Sequence, residues 1–126
     1  MILLDTNVLL WFFAGNERLS VETRSAIADD PGNYIVSTIS FWEIAIKRQI
    51  GKLTANLDVP QAIRNAGFMT LDITTAHICT YESLPLLHRD PFDRMLIAQS
   101  KTERLPLLTG DLKLKEYDVR IVSALG

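Results

Sequence analysis

Short apolar runs recur along the chain, and each of them ends at a polar or turn-forming residue. Residues 1–4 are apolar without alternation and are followed by Asp5, a pattern typical of a strand buried on both faces of a parallel sheet. The later runs predict three more strands, or four if the last one joins the sheet: residues 34–37, 69–73, 106–109 and 119–122.

Helical segments with recognisable start signals lie between these runs. Ser40 and Glu43 have the spacing of a capping box, so we predict that Ser40 caps the helix after the second strand. Asp90 precedes Pro91, which is a typical start of a helix. The predicted helices span about residues 8–14, 20–29, 40–50, 58–67, 74–83 and 90–104.

Strands and helices alternate along the whole chain, and no linker, repeat or low-complexity segment interrupts them. This order predicts a single α/β domain over residues 1–126. Its central sheet is expected to be mainly parallel, with four to five strands flanked by helices.

Composition excludes several classes of protein. Of the 126 residues, 48% are apolar and 22% are charged, which fits one folded domain and excludes a disordered or fibrous chain. Cys79 is the sole cysteine, which rules out an intramolecular disulfide or a multi-cysteine zinc site. No apolar run reaches the roughly 18 to 20 residues of a membrane helix. We therefore expect a soluble, cytoplasmic protein without membrane contact, and the net charge of -2 does not identify its partner.

Acidic residues occur where the predicted strands and helices meet. Asp5 ends the first strand, and Asp111 comes two residues after the end of the fourth. Glu43 and Asp93 lie in the first turns of two predicted helices. Ligands of open α/β sheets bind beyond the carboxyl ends of the strands, so these four carboxylates are expected to converge there.

Four carboxylates that lie together raise one another's pKa and destabilise the fold unless a cation offsets their charge. Mg²⁺ prefers such oxygen ligands. A bound divalent cation can also activate water and neutralise charge on a phosphodiester. The acids therefore favour metal-assisted phosphodiester hydrolysis.

Each acid also has a purely structural alternative. Asp5 and Asp90 are good helix caps, and Asp90 is better explained as a cap than as a ligand. Glu43 can be the far end of the predicted capping box. Asp93 can favour the helix dipole, and Asp111 can be an ordinary turn residue.

Four sequence blocks resemble the PIN-domain ribonucleases, specifically the VapC toxins of VapBC toxin–antitoxin pairs. The blocks occur in the family's order and span nearly the whole chain: LLDTN at 3–7, SFWEIAIK at 40–47, HRDPFDRMLIAQ at 88–99 and LLTGD at 107–111.

The resemblance implies an RNA-cleaving site that holds Mg²⁺ or Mn²⁺. It also implies a homodimer and a small VapB-like antitoxin whose tail covers the site. Asp93 is preferred to Asp90 as the third acid because the apolar run after it has the family's spacing. The implied acids are Asp5, Glu43, Asp93 and Asp111, supported by hydrogen bonds from Thr6 and Thr109.

The sequence thus predicts a metal-dependent endoribonuclease, the toxin of a type II toxin–antitoxin pair. Asp5 and Asp93 are expected to be the main metal ligands, with Asp111 binding directly or through water, and Glu43 to orient or deprotonate the attacking water. One alternative is a non-catalytic module that binds RNA or a partner. The other is a Mg²⁺-dependent phosphohydrolase of small phosphate esters, although residues 5–7 lack the second aspartate of an Asp-x-Asp nucleophile motif.

Overall fold

The structure, a computed structural model, describes residues 1–54 and 56–126. Its strands are Ile2–Leu4 (β1), Tyr34–Ser37 (β2), Met69–Leu71 (β3), Leu107–Thr109 (β4) and Ile121–Ser123 (β5). Its α-helices are Thr6–Ala14 (α1), Val21–Asp29 (α2), Thr38–Gln49 (α3), Val59–Ala66 (α4), Thr75–Ser83 (α5) and Pro91–Glu103 (α6). Two short 3-10 helices span Pro31–Asn33 and Leu112–Glu116.

The five strands form one sheet in the order β3-β2-β1-β4-β5, and every neighbouring pair is parallel. This confirms the predicted α/β class and the parallel sheet, including its fifth strand. From the central β1 the chain first adds β2 and β3 on one side, and then β4 and β5 on the other. The boundary between β1 and β4 is therefore the point where the strand order reverses, which is where such sheets bind ligands.

Alternate residues of the central strands face opposite layers of helices, because side chains of a strand point to its two faces in turn. One layer packs α1, α2 and α4 on the sheet, and the other packs α5 and α6. The first layer contacts Leu4, Val36 and Leu108, and the second contacts Leu3, Ile35 and Leu107. Burial on both faces explains why these strands lack a polar alternation.

Most of the predicted helix starts are confirmed. The side chains of Ser20, Asp58, Thr74 and Asp90 all accept hydrogen bonds from the first turns of their helices. None of the helices within residues 1–54 and 56–126 is long and apolar enough to cross a bilayer.

The predicted capping box at Ser40 is wrong. Ser37 caps α3 instead, because its hydroxyl accepts a 3.1 Å hydrogen bond from the amide of Ile39. The helix follows β2 without a loop, so it begins at Thr38, before Ser40. Glu43 consequently lies in the second turn of α3 and not in the first.

The edge strands differ slightly from their predicted bounds. β3 ends at Leu71, which pairs with Ser37, the last residue of β2, so it has no partner strand beyond this point. β5 spans Ile121–Ser123 and pairs with the whole of β4.

Candidate active site

Thr109 connects the carboxyl ends of β1 and β4. Its hydroxyl donates a 2.6 Å hydrogen bond to Oδ2 of Asp5, which is only 4% exposed. Thr109 Oγ1 in turn accepts a 3.0 Å hydrogen bond from the amide of Asp111. The geometry of the Asp5 side chain gives no capping hydrogen bond to α1, although the backbone amides of Thr6 and Asn7 act to lower its pKa.

A contact between two hydroxyl groups fixes α1 against α3. Thr6 Oγ1 and Ser40 Oγ lie 2.8 Å apart, and both residues are buried. Thr6 was predicted to support the site, whereas Ser40 was predicted only as a helix cap. The bond holds the start of α1, directly after Asp5, beside the first turn of α3, which leads to Glu43.

Glu43 is buried on α3 and has a cationic partner one turn later. Lys47 Nζ lies 2.6 Å from Glu43 Oε2, and the Glu43 residue is 5% exposed. The pKa of Lys47 is raised mainly by this hydrogen bond, while partial burial opposes the shift and the charges of Glu43, Asp90 and Asp93 add to it. Lys47 therefore places a positive charge among the acids.

Asp93 is the third residue of α6, and its electrostatic environment shows which acids lie around it. Its pKa is raised from 3.8 to about 7, above all because the carboxyl is partly buried. Negative charges nearby raise it further, in the order Asp5, Asp90, Glu43 and Asp111. The structure thus brings all four predicted acids, together with Asp90, into one electrostatic cluster.

The pKa of Asp5 is raised as well. Burial is the main cause of its raised pKa, and the charge of Glu43 adds to it. The hydrogen bond from Thr109 acts in the opposite direction, because it stabilises the carboxylate.

Asp90 and Asp111 also have structural roles. Asp90 Oδ1 accepts hydrogen bonds from the amides of Phe92 and Asp93, at 2.8 and 3.3 Å. Asp111 Oδ1 accepts one from the amide of Lys113 at 3.1 Å. Asp90 is therefore a helix cap and Asp111 a turn residue, as the structural alternatives predicted. Both charges nevertheless act on Asp93.

Ser40 and Lys47 were not predicted to lie at this site. Lys47 had a local signal, since a lysine four residues after a glutamate on a helix can reach its carboxylate. Ser40 had none, because its partner Thr6 is 34 residues away in the chain.

The chemistry of the donor set fits a hard divalent cation. The ligands on offer are carboxylate oxygens, and their mutual repulsion is the kind that such a cation relieves. Within residues 1–54 and 56–126, however, no three His, Cys, Asp or Glu side chains are already grouped so as to hold a metal ion.

Gly110 fits closely beneath an aromatic ring in the turn between Thr109 and Asp111. A Cβ atom at Gly110 would lie 2.6 Å from Cη2 and 2.8 Å from Cζ3 of Trp11. These distances leave no room for a side chain. Trp11 on α1 therefore packs directly on the backbone that leads to Asp111.

The sequence matches the family described as the PIN domain over residues 2–120. No curated protein matches the chain significantly.

Several solved structures share the fold, and three are described here. VapBC2 from Rickettsia felis, bound to a DNA fragment from their promoter, superposes with a TM-score of 0.72 at 16% identity over 98% of both chains. FitAcB from Neisseria gonorrhoeae gives 0.71 at 20% identity, again over 98% of both chains. DNA-bound VapBC from Salmonella typhimurium gives 0.68 at 14% identity, over 98% of this chain and 99% of that one. At these identities the likeness establishes the fold alone.

We predict that Gly110→Ala destabilises the protein by about 1–3 kcal/mol, because the added methyl group must displace Trp11 or the turn. Gly32→Ala is the matched control, since a Cβ there meets nothing within 4 Å. Urea unfolding of both variants measures the difference. Equal stability of the two variants would show that the turn tolerates a side chain.

We also predict that Asp93→Asn stabilises the metal-free protein at neutral pH. The folded state raises the pKa of Asp93 to about 7, so it holds this proton more tightly than the unfolded chain does. Ionisation therefore costs stability as the pH rises from about 4 to 7, and the asparagine variant avoids that loss.

Thermal unfolding in chelator across this pH range provides the measurement. The advantage of Asp93→Asn should be largest above about pH 7 and should shrink toward pH 4. Asp118→Asn is the control, because Asp118 is exposed and is not among the charges that shift Asp93. A stability gain that is independent of pH would contradict the electrostatic explanation.

Proposed function

Because the chain belongs to the PIN domain family, we propose that it is a metal-dependent endoribonuclease that hydrolyses RNA phosphodiester bonds. The observation that carries this proposal is the electrostatic cluster around Asp93, in which four further carboxylates raise its pKa. The cluster lies beside the carboxyl ends of β1 and β4, where the strand order reverses.

Asp5 and Asp93 are the proposed main ligands of Mg²⁺ or Mn²⁺, and Asp111 completes the set directly or through a water molecule. When bound, the metal would lower the pKa of a water molecule and neutralise charge that builds up on the phosphate. Thr109 supports this arrangement because its donated hydrogen bond favours the ionised form of Asp5.

Glu43 is proposed to orient or deprotonate the attacking water. Its carboxylate is buried, and Lys47 holds Oε2 at 2.6 Å. This contact restricts the orientation of the carboxylate, which a general base requires. The contact between the hydroxyl groups of Thr6 and Ser40 also helps to position Glu43, because it fixes α3 against the start of α1.

We further propose that the protein is the VapC-like toxin of a type II toxin–antitoxin pair. The sequence resemblance and the shared fold of the Rickettsia and Salmonella VapBC structures support this assignment. A VapB-like antitoxin would then be its partner, and its RNA substrates would be cytoplasmic. A homodimer is proposed from the family resemblance, and the exposed apolar side chains of Trp42 and Ile78 are consistent with it.

A non-catalytic RNA-binding module is the second candidate. It is favoured by one observation, namely that the described acids do not already form a three-ligand group. Such a module would bind RNA stoichiometrically with or without chelator and would yield no cleavage products.

We predict that Asp5→Asn reduces RNA cleavage by at least about 100-fold while the protein stays folded, because it removes one buried carboxylate and keeps its shape. The assay uses a structured RNA pool with Mg²⁺ or Mn²⁺, and chelator as a parallel arm. Antitoxin must first be removed from the preparation. Asp118→Asn serves as the control and should cleave like the wild type. Wild-type activity in Asp5→Asn would contradict the proposed role of Asp5 as a metal ligand.

Metal binding gives a test that does not depend on the RNA target. At a metal concentration of about 100 times Kd, Mn²⁺ should stabilise the wild type by about 2.7 kcal/mol. The Asp93→Asn variant should lose most of this gain, whereas Asp118→Asn should keep it. Thermal unfolding with and without Mn²⁺ measures the effect, and a wild type that gains nothing would argue for the non-catalytic module.

A further inference from the structure

We propose that a cationic cavity next to the start of α6 binds a phosphate group of the RNA that flanks the cleaved bond. This inference rests on the proposed function and specifies how the substrate is held. The cavity has a volume of about 420 Å³ and is called here the α5–α6 cavity. It is lined by Tyr81, Leu86, His88, Arg89 and Arg94.

Arg94 gives the α5–α6 cavity a fixed positive charge. The residue is only 5% exposed, and none of the ion pairs found among the described residues involves it. Its guanidinium donates to the carbonyl of Pro85 at 2.9 Å, to the carbonyl of Tyr81 at 3.4 Å and to the hydroxyl of Tyr117 at 3.1 Å. It also lies 4.8 Å from the centre of the Tyr81 ring. All of these partners are neutral, so the charge is solvated but not cancelled.

Arg89 adds a second charge that is available for binding. Its side chain is exposed, and within the described part of the chain it makes no hydrogen bond or ion pair. A guanidinium group can bind phosphate through two parallel hydrogen bonds. Arg89 and Arg94 therefore offer one exposed and one buried cation to the same cavity.

His88 and Glu116 complete the charged surroundings. His88 Nε2 lies 3.2 Å from the carbonyl oxygen of Lys113 and 3.6 Å from Oε2 of Glu116. Glu116 is 61% exposed at its side chain, so water screens its charge. The two arginines thus outweigh the one acid that approaches this cavity through His88.

The cavity wall is held in place before any ligand arrives. The Tyr117 hydroxyl accepts hydrogen bonds from the amide of His88 at 3.0 Å and from Arg94 at 3.1 Å. The bond from Arg94 to Pro85 fixes the start of the same loop. A preformed site of this kind loses little conformational freedom on binding.

The position of the two arginines at the start of α6, which also carries Asp93, indicates the ligand. Arg89 precedes Asp90 and Arg94 follows Asp93, so both arginines flank the start of α6. The acid cluster repels a polyanion, and a cationic contact beside it offsets that repulsion. Because phosphate contacts fix the register of a nucleic acid on a protein, such a contact would align the RNA over the acids.

The test measures RNA binding without cleavage. A labelled single-stranded RNA of about ten nucleotides is titrated in chelator against the Asp93→Asn protein, with fluorescence anisotropy as the readout. Adding Arg89→Gln should weaken binding about tenfold. It should also reduce the slope of log affinity against log salt by about 0.7, which corresponds to one lost phosphate contact.

Arg18→Gln in the same background is the matched control. It removes the same charge from an exposed arginine beyond the far end of α1, about 13 Å along the helix from its start near Asp5. Its affinity should stay within about twofold of the parent.

Two results would overturn the inference. One is an unchanged affinity and salt slope in Arg89→Gln, and the other is an equal loss in Arg18→Gln, which would mean that only net charge matters. An absence of RNA binding by the parent protein would also overturn it and would leave an acidic protein segment as the occupant. None of these results depends on cleavage, so failure of the nuclease assignment is seen separately, in the activity of the wild type.

Discussion

Repulsion among carboxylates is the constraint on which this structure depends. Five acidic side chains lie near one another at the edge of the sheet, and the pKa of Asp93 is raised to about 7, first by burial and then by the charges of its four acidic neighbours. A fold optimised for stability alone would not gather them. These mutually repelling acids lie where the strand order reverses. This is the place where an α/β sheet binds its ligand.

The surrounding contacts limit this repulsion without removing it. Thr109 donates to Asp5, Lys47 pairs with Glu43, and the amides of α6 are capped by Asp90. Asp5, Glu43 and Asp90 thus each have a hydrogen-bond donor, whereas every group that shifts the pKa of Asp93 raises it. Lys47 is the one cation that this group of contacts supplies. A divalent ion would provide the further positive charge that the acids need.

Features could be predicted from the sequence where an apolar run indicates a strand and its end. Asp5 and Asp111 were predicted at the carboxyl edge of the sheet because each follows an apolar run typical of a buried strand. The fold class followed from the same runs. Prediction failed at Ser40, because a capping box and an ordinary helical turn share the same spacing, and only the hydroxyl of Ser37 decides where α3 begins. The buried environment of Arg94 could not be predicted either, because its partners Tyr81, Pro85 and Tyr117 come from other parts of the chain.

The hydrogen bond from Thr109 to Asp5 joins residues 104 positions apart. β1 is therefore made well before its neighbour β4, and both strands are needed to complete this corner of the site. A nascent chain carries Asp5 without its hydrogen-bond donor until β4 has been made. The complete carboxylate cluster can therefore form only after Thr109 and Asp111 have emerged, because its contacts join distant parts of the chain.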